Sequence, residues 1–272
     1  MEHKVAFQGE TGAYSEDAVA KLYPGAEAVP CPTLTVVFQQ VEAGAVERAV
    51  VPVENSQAGT INETYDLLLR HSLLIVGEAE VEVVHCLLCL PGESVTTIKR
   101  VYSHPQALSQ CAEYLQTLGV EVIPSQDTAG SARMIKEQNL TGCAAIASER
   151  AGSVYGLSVV ARRIQTNPFN YTRFLAISKE SAPFVANSKT SVVFAVKNQP
   201  GMLYAALGCF ANRGINLTKL ESRPSRNQPW QYVFYVDFDG HVDQPACRDA
   251  LSELLFLTTF LKILGSYPRA KA

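Results

Sequence analysis

The sequence predicts an α/β protein of two domains, a larger α/β domain over residues 1–180 and a smaller ferredoxin-like βαββαβ unit over 189–268. Three observations carry this expectation. Through the first 180 residues, short apolar runs alternate with segments of helical period, the pattern of strands interleaved with helices. Between Ser178 and Lys189 that rhythm stops in a stretch of Ser, Pro, Asn and Lys without apolar period, which reads as a linker. Beyond it, strand, helix, strand, strand, helix and strand signals follow in that order.

In the larger domain the strand candidates are Val5–Gln8, Ala49–Val53, Val101–Ser103, Val120–Pro124, Ala144–Ala147, Ser158–Arg162 and Arg173–Ile177. Helices are expected at Ser15–Leu22, Leu34–Glu42, Asn62–Arg70, Ala107–Leu118 and Ala129–Glu137. The helix over 107–118 sets Leu108, Cys111, Ala112, Leu115 and Leu118 at three- and four-residue spacing, one face to bury. Gly119 then ends it. In the smaller unit we expect strand Ser191–Val196, helix Met202–Asn212, strands Ile215–Ser222 and Tyr232–Phe238, helix Ala246–Leu257 and strand Leu261–Leu264. A unit this small cannot cover both faces and edges of its own sheet, which predicts pairing with a second copy.

Composition narrows the function. At 272 residues, 47% of them apolar and 18% charged, the chain has ample core for two domains. A net charge of −3 without a dense Lys/Arg run argues against nucleic acid as partner. Apolar runs such as Leu73 to Val76 are far short of a membrane span. Met1-Glu2-His3-Lys4 leads straight into a strand-like run, so neither signal nor transit peptide is expected. Seven cysteines, an odd number, read as reduced thiols packed as small hydrophobes, which predicts a cytoplasmic protein. Cys86-Leu87-Leu88-Cys89 has metal or redox spacing, but in a strand its two sulfurs diverge, and no second pair completes a zinc site. No metal is expected.

Four places interrupt apolar runs with uncharged hydrogen-bonding residues. Phe7-Gln8-Gly9-Glu10-Thr11-Gly12-Ala13-Tyr14-Ser15-Glu16 follows a strand and opens a helix, with Ser15 placed to cap it. Such a loop suits an anion, because a helix N-terminus carries partial positive charge; alone, it reads better as a plain turn with an N-cap. Val53-Glu54-Asn55-Ser56-Gln57-Ala58-Gly59-Thr60-Ile61 repeats the arrangement, as does Tyr102-Ser103-His104-Pro105-Gln106-Ala107-Leu108-Ser109-Gln110-Cys111. A lone His104 is more often structural than catalytic. In Asn167-Pro168-Phe169-Asn170-Tyr171-Thr172-Arg173-Phe174, a polar loop enters a strand, and Arg173 is either a ligand or an edge charge. Together these loops offer a donor-rich pocket for a small anion, without a catalytic triad, metal cage or cofactor fingerprint.

In family order, the same four segments resemble the signature motifs of prephenate dehydratases. After them, Asn198-Gln199-Pro200-Gly201-Met202-Leu203 and Asn216-Leu217-Thr218-Lys219-Leu220-Glu221-Ser222-Arg223-Pro224 are similar to the two ligand segments of an ACT domain. The first departs from the family, whose Gly-Ala-Leu-Val reads Gly201-Met202-Leu203-Tyr204 here. The resemblance implies a two-lobed catalytic domain like the periplasmic binding proteins, followed by an ACT domain. It implies a single activity, since the chain opens at the first signature strand and not at a chorismate mutase domain.

The implied reaction converts prephenate to phenylpyruvate with loss of carbon dioxide and water. No cofactor is needed, because electrons released by decarboxylation flow into the new aromatic ring. By resemblance, Thr172 donates to the departing hydroxyl, with Glu54 the alternative acid. Arg173 clamps a carboxylate, and Ser15, Asn55, Ser56, Thr60, His104, Gln106 and Phe174 complete the substrate site. Phenylalanine, as effector, would contact Asn198, Gly201, Met202, Leu203, Asn216, Leu217, Glu221 and Ser222 in a homodimer or homotetramer. Arogenate dehydratase is the rival activity, and a non-catalytic small-anion sensor the rival class.

Overall fold

The computed structural model describes residues 3–225 and 231–270. The first lobe is built from β1 (Lys4–Gln8), α1 (Tyr14–Leu22), β2 (Glu27–Cys31), α2 (Leu34–Glu42), β3 (Arg48–Asn55), β4 (Gly59–Thr60), α3 (Asn62–Arg70) and β5 (Leu74–Glu82). The second follows with β6 (Cys86–Cys89), β7 (Arg100–Ser103), α4 (Pro105–Gln110), α5 (Ala112–Leu118), β8 (Glu121–Pro124), α6 (Thr128–Glu137), β9 (Cys143–Ala147), α7 (Glu149–Tyr155) and β10 (Ser158–Arg162). The chain then returns to the first sheet as β11 (Tyr171–Ser178).

The first sheet runs β2-β1-β3-β11-β5, with β4 paired to β3, and β1 lies parallel to both β2 and β3. The second runs β10-β6-β9-β7-β8, with β7 parallel to β8 and β9, and β6 antiparallel to β9 and β10. Parallel strands covered on both faces explain why Val50-Val51 and Cys143–Ala147 read as unbroken apolar runs. All seven cysteines are buried and free. Cys86 and Cys89 enter different core clusters, as their opposite faces require.

The last elements are β12 (Ser188–Val196), α8 (Met202–Ala211), β13 (Leu217–Pro224), β14 (Tyr232–Asp239), α9 (Pro245–Leu257) and β15 (Thr258–Pro268), an antiparallel βαββαβ sandwich with sheet order β13-β14-β12-β15. Val192, Phe194, Val236 and Phe238 on one sheet face bury Phe210 and Leu254 of the two helices.

By compactness the chain forms one unit of residues 1–64 with 79–174 and another of 65–78 with 175–272, so that α3, β5 and β11 each run from one unit into the other. Within the second unit, segment 65–78 lies against the sheet face opposite the helices. Tyr65 packs edge-on against Tyr235 at 4.7 Å between ring centroids, Arg223 pairs with Asp66 at 3.1 Å, and Lys189 pairs with Glu78 at 2.7 Å. That face is thus covered by the chain's own residues, which the sequence argument for a second copy had not foreseen. Lys262 Nζ closes the end of α3 by donating to Leu68 O (2.8 Å), Leu69 O (3.1 Å) and His71 O (2.7 Å), and burial pushes its pKa down. A cation on the last carbonyls of a helix is favourable. Lys262→Met should therefore destabilise the protein by about 1–3 kcal/mol, measured as a lowered urea midpoint with unchanged slope.

Several elements depart from the sequence reading. The helix expected over 107–118 begins at Pro105, whose missing N–H costs nothing in a first turn, and breaks into α4 and α5 at Cys111 (φ −108°, ψ 14°). Leu108, Cys111 and Leu115 stay buried while Ala112 is exposed. Gly119 ends α5 in the left-handed conformation, as expected (φ 62°). Strand β2 escaped notice because Pro30 is tolerated only at a sheet edge, which β2 occupies. Helix α7 carries Gly152, where a Cβ would meet Leu88 Cδ2 at 3.1 Å.

Candidate active site

A cavity of about 260 Å³ opens in the first unit where loops from both α/β lobes converge. Its floor is set by the loop between β1 and α1. Gly12 holds φ +89°, and a Cβ there would lie 2.8 Å from Ala151 Cα, so only glycine fits. The second lobe fastens that loop: Ser148 Oγ donates to Gly12 O (2.6 Å), Tyr155 Oη to Thr11 O (2.8 Å), and Arg150 to Glu16 (2.8 Å). Ser15 does not cap α1, contrary to expectation. The N-cap is Ala13, and Glu16 Oε2 accepts Gly12 N–H at 2.6 Å in its place.

The first turns of α1, α4 and α6 all reach the cavity, through Ala13, Tyr14 and Ser15, then His104 and Gln106, then Asp127 and Thr128. His104 and Asp127 cap their helices, accepting from Gln106 N (3.2 Å) and Gly130 N (2.5 Å). No Lys or Arg is among the described residues that line it. Positive potential comes from helix starts and neutral donors.

Thr172 enters from β11, and its hydroxyl direction can be deduced. Asn55 Oδ1 accepts two backbone N–H groups, Gln57 (3.1 Å) and Ala58 (2.9 Å), which identifies it as the oxygen. Asn55 Nδ2 then faces Thr172 Oγ1 at 3.0 Å and Asn170 Oδ1 at 2.8 Å. An amide nitrogen only donates, so Thr172 Oγ1 accepts there and its own proton is left to donate elsewhere.

Of the residues expected at a substrate site, Ser15, Asn55, His104, Gln106 and Thr172 line this cavity together. Glu54, Ser56, Thr60, Arg173 and Phe174 are not among the residues that line it. Arg173 follows Thr172 in an extended strand and therefore faces the other side of the sheet. Phe174 is a core residue at 1% exposure, Ser56 bonds Tyr171 N and Phe169 O, and Glu54 pairs with Thr60 across the β3–β4 ladder. Sequence reading missed Tyr14, His85, Gln110 and Asp127 as lining residues. Tyr14 and Gln110 stood inside quoted motifs; His85 was hidden at the head of an apolar strand.

Burial holds the Tyr14 hydroxyl well above the usual phenol range and pushes the His85 imidazole below the usual histidine value. In the second unit, Gly201 (φ 82°) caps α8, Met202 and Leu203 are half-buried, and Tyr204 is 83% exposed. Asn216, Leu217, Glu221 and Ser222 lie at or on the edge strand β13. Among the described residues, no cluster of His, Cys, Asp and Glu is arranged to hold a metal, and no helix is long and apolar enough to cross a membrane.

A family model described as prephenate dehydratase matches residues 5–182, and one described as ACT domain matches 190–256. Arogenate dehydratase/prephenate dehydratase 2 of Arabidopsis thaliana is 47% identical over 278 residues, which is 97% of this chain and 72% of the relative. Among solved structures, GqqA, named as a novel type of quorum-quenching acylase, superposes with a TM-score of 0.91 at 36% identity over 98% of each chain. Prephenate dehydratase from Arthrobacter aurescens, solved with L-Phe, gives 0.89 at 32% identity over 98% of this chain and 90% of that one.

The Arabidopsis relative is named as chloroplastic, and this overturns the expected cytoplasmic location. The physical reason is plain: free thiols report a reducing compartment without saying which one. The matches over both domains are extensive enough to settle membership: the chain belongs to the prephenate dehydratase family and carries an ACT domain.

Proposed function

We propose that this protein is a carbon–oxygen lyase that converts prephenate to phenylpyruvate, carbon dioxide and water, with phenylalanine as feedback effector. The observation that carries the reading is that Thr172 lines a cavity reached by helix starts while its Oγ1 accepts from Asn55 Nδ2, which leaves its proton available for a departing oxygen. In the reaction the bond to the ring carboxylate breaks, its electron pair enters the ring, and the bond to the ring hydroxyl breaks. The departing oxygen takes up one proton and leaves as water. Thr172 donates to that oxygen; Asn55 holds Thr172; Ser15, Gln106 and the helix start of α1 hold carboxylates. Neutral donors suit this chemistry, because a cation would over-stabilise the carboxylate that must be lost as a neutral molecule.

Asp127 favours a second substrate. Among the described residues it is the one acidic residue that lines the cavity, and the ammonium of arogenate, absent from prephenate, would suit it. Turnover measured on both substrates, read as phenylpyruvate or phenylalanine formed, tests the reading. Turnover of prephenate supports it; exclusive use of arogenate assigns the ammonium to Asp127. No turnover of either would leave a non-catalytic sensor, or, with cleavage of an N-acyl substrate, the chemistry named for GqqA. Acyl transfer needs a nucleophile beside a base. The imidazoles of His85 and His104 instead bond Gln110, Tyr14 and Gln106 N.

For regulation, the loop Asn198–Leu203 and strand residues Asn216–Ser222 are the phenylalanine contacts, completed by a second chain in a homodimer or homotetramer. Exposed Tyr204 and Phe256 (89%) support such pairing. Calorimetry should show phenylalanine binding to the full chain, and sedimentation should give at least a dimer. Absence of binding removes the effector and points to Met202 and Tyr204 as the cause.

A further inference from the structure

Behind Thr172 the hydrogen bonds continue in one direction. Asn170, fully buried, accepts from Asn55 through Oδ1, so its Nδ2 faces Gln110 Oε1 at 3.0 Å. That same oxygen lies 2.8 Å from His85 Nε2. A carbonyl oxygen only accepts, so Nε2 carries the proton. Nδ1 is then bare, and the single proton of the Tyr14 hydroxyl, 3.2 Å away, is shared between Nδ1 and Val84 O at 2.7 Å. The His85 backbone is held in turn by Gln165 Oε1, at 3.0 Å from its N–H.

The rival arrangement fails at a definite contact. If Nδ1 carried the proton, Gln110 would have to turn its amide nitrogen toward the bare Nε2. That nitrogen would then oppose Asn170 Nδ2, donor against donor in a partly buried site where neither finds an acceptor. Asn170 cannot turn to relieve this, because its oxygen is the partner of Asn55 Nδ2. The sense of the whole circuit therefore runs from the backbone N–H groups of Gln57 and Ala58 to the imidazole.

We propose that His85, as the neutral Nε2–H tautomer, is a positioning residue that acts through Gln110 and Asn170 to anchor the Asn55 amide, and thereby keeps the Thr172 proton aimed into the cavity. This rests on Thr172 as leaving-group donor. The role requires a donor at the Nε2 position and no charge, and burial, which pushes the imidazole pKa down, favours the neutral ring. It differs from proton transfer by His85 itself, which would require the imidazolium.

Two measurements test it. In long-range proton–nitrogen NMR of the unliganded protein, one imidazole is expected in the Nε2–H form, unchanged from about pH 6 to 8, where an ordinary histidine titrates. Its signals should vanish in His85→Gln. Finding that ring as Nδ1–H, or as imidazolium, overturns the proposal whatever the activity. In the assay, His85→Leu should lower kcat about tenfold or more with KM nearly unchanged, whereas His85→Gln, which restores an N–H near the Nε2 position, should recover to within about threefold of the starting kcat. Equal loss in both variants, or loss in neither, overturns it. If Thr172 proves dispensable, the proposed reaction step fails separately, and the tautomer result still stands or falls alone.

Discussion

Replacing Thr172 with alanine is expected to lower kcat on prephenate by roughly 10²-fold or more, with little change in KM. The hydroxyl contributes in the transition state, where charge grows on the departing oxygen, and little in the ground state, where that oxygen is neutral. Its effect is enlarged because Asn55 Nδ2 occupies an acceptor site of Thr172 Oγ1, so no reorientation is needed before it donates. Thr172→Ser keeps the donor and should retain far more activity, losing only what the methyl group contributes to rotamer restriction. Steady-state rates at saturating substrate decide the matter. Near-normal turnover in the alanine variant would take Thr172 out of the reaction. The cavity would then have to be searched for another donor, and Glu54 would be a poor candidate because it is not among the lining residues.

The second large effect is on stability. Lys189 Nζ contacts both Glu78 carboxylate oxygens, at 2.7 and 2.9 Å, with side chains only 10% and 3% exposed, and Ala270 N–H adds a third bond at 3.0 Å. Lys189→Met removes this cation from beside a buried carboxylate, at an expected cost of about 3–5 kcal/mol. That is a large share of the roughly 5–15 kcal/mol that a folded domain has. Adding Glu78→Gln to Lys189→Met should recover much of the loss, since a buried carboxylate that has lost its lysine costs more than the ion pair itself contributed. Urea unfolding of the single and double variants reads both quantities. A single-variant loss below about 1 kcal/mol would show that Glu78 reaches water once Lys189 is gone.

The order of elements was legible because each carries its period in neighbouring residues. The βαββαβ order and the strands ending at Gln8 and Ser103 were found where expected. Strand β5 was not, because Glu78 and Glu80 break its apolar pattern, and the buried Glu78 pairs with Lys189, which is distant in sequence. The break of α4 from α5 at Cys111 was equally hidden, since the apolar spacing runs straight through it.

The site divides along the same line. From the residues alone came the loops that hold Ser15, Asn55, His104, Gln106 and Thr172, because glycines, amides and hydroxyls at strand ends are a local signal. Which side chains face the cavity was decided by tertiary structure. Arg173 is the instructive case: as the only basic residue in the four motifs it was the natural clamp, yet strand alternation turns it away from the cavity that Thr172 lines. The first turns of three helices, which only packing brings together, stand where that charge was expected. His85 lies beyond any local rule, for its tautomer depends on Gln110, Asn170 and Asn55, residues from separate elements whose hydrogen-bond directions are set only once the chain has closed around them.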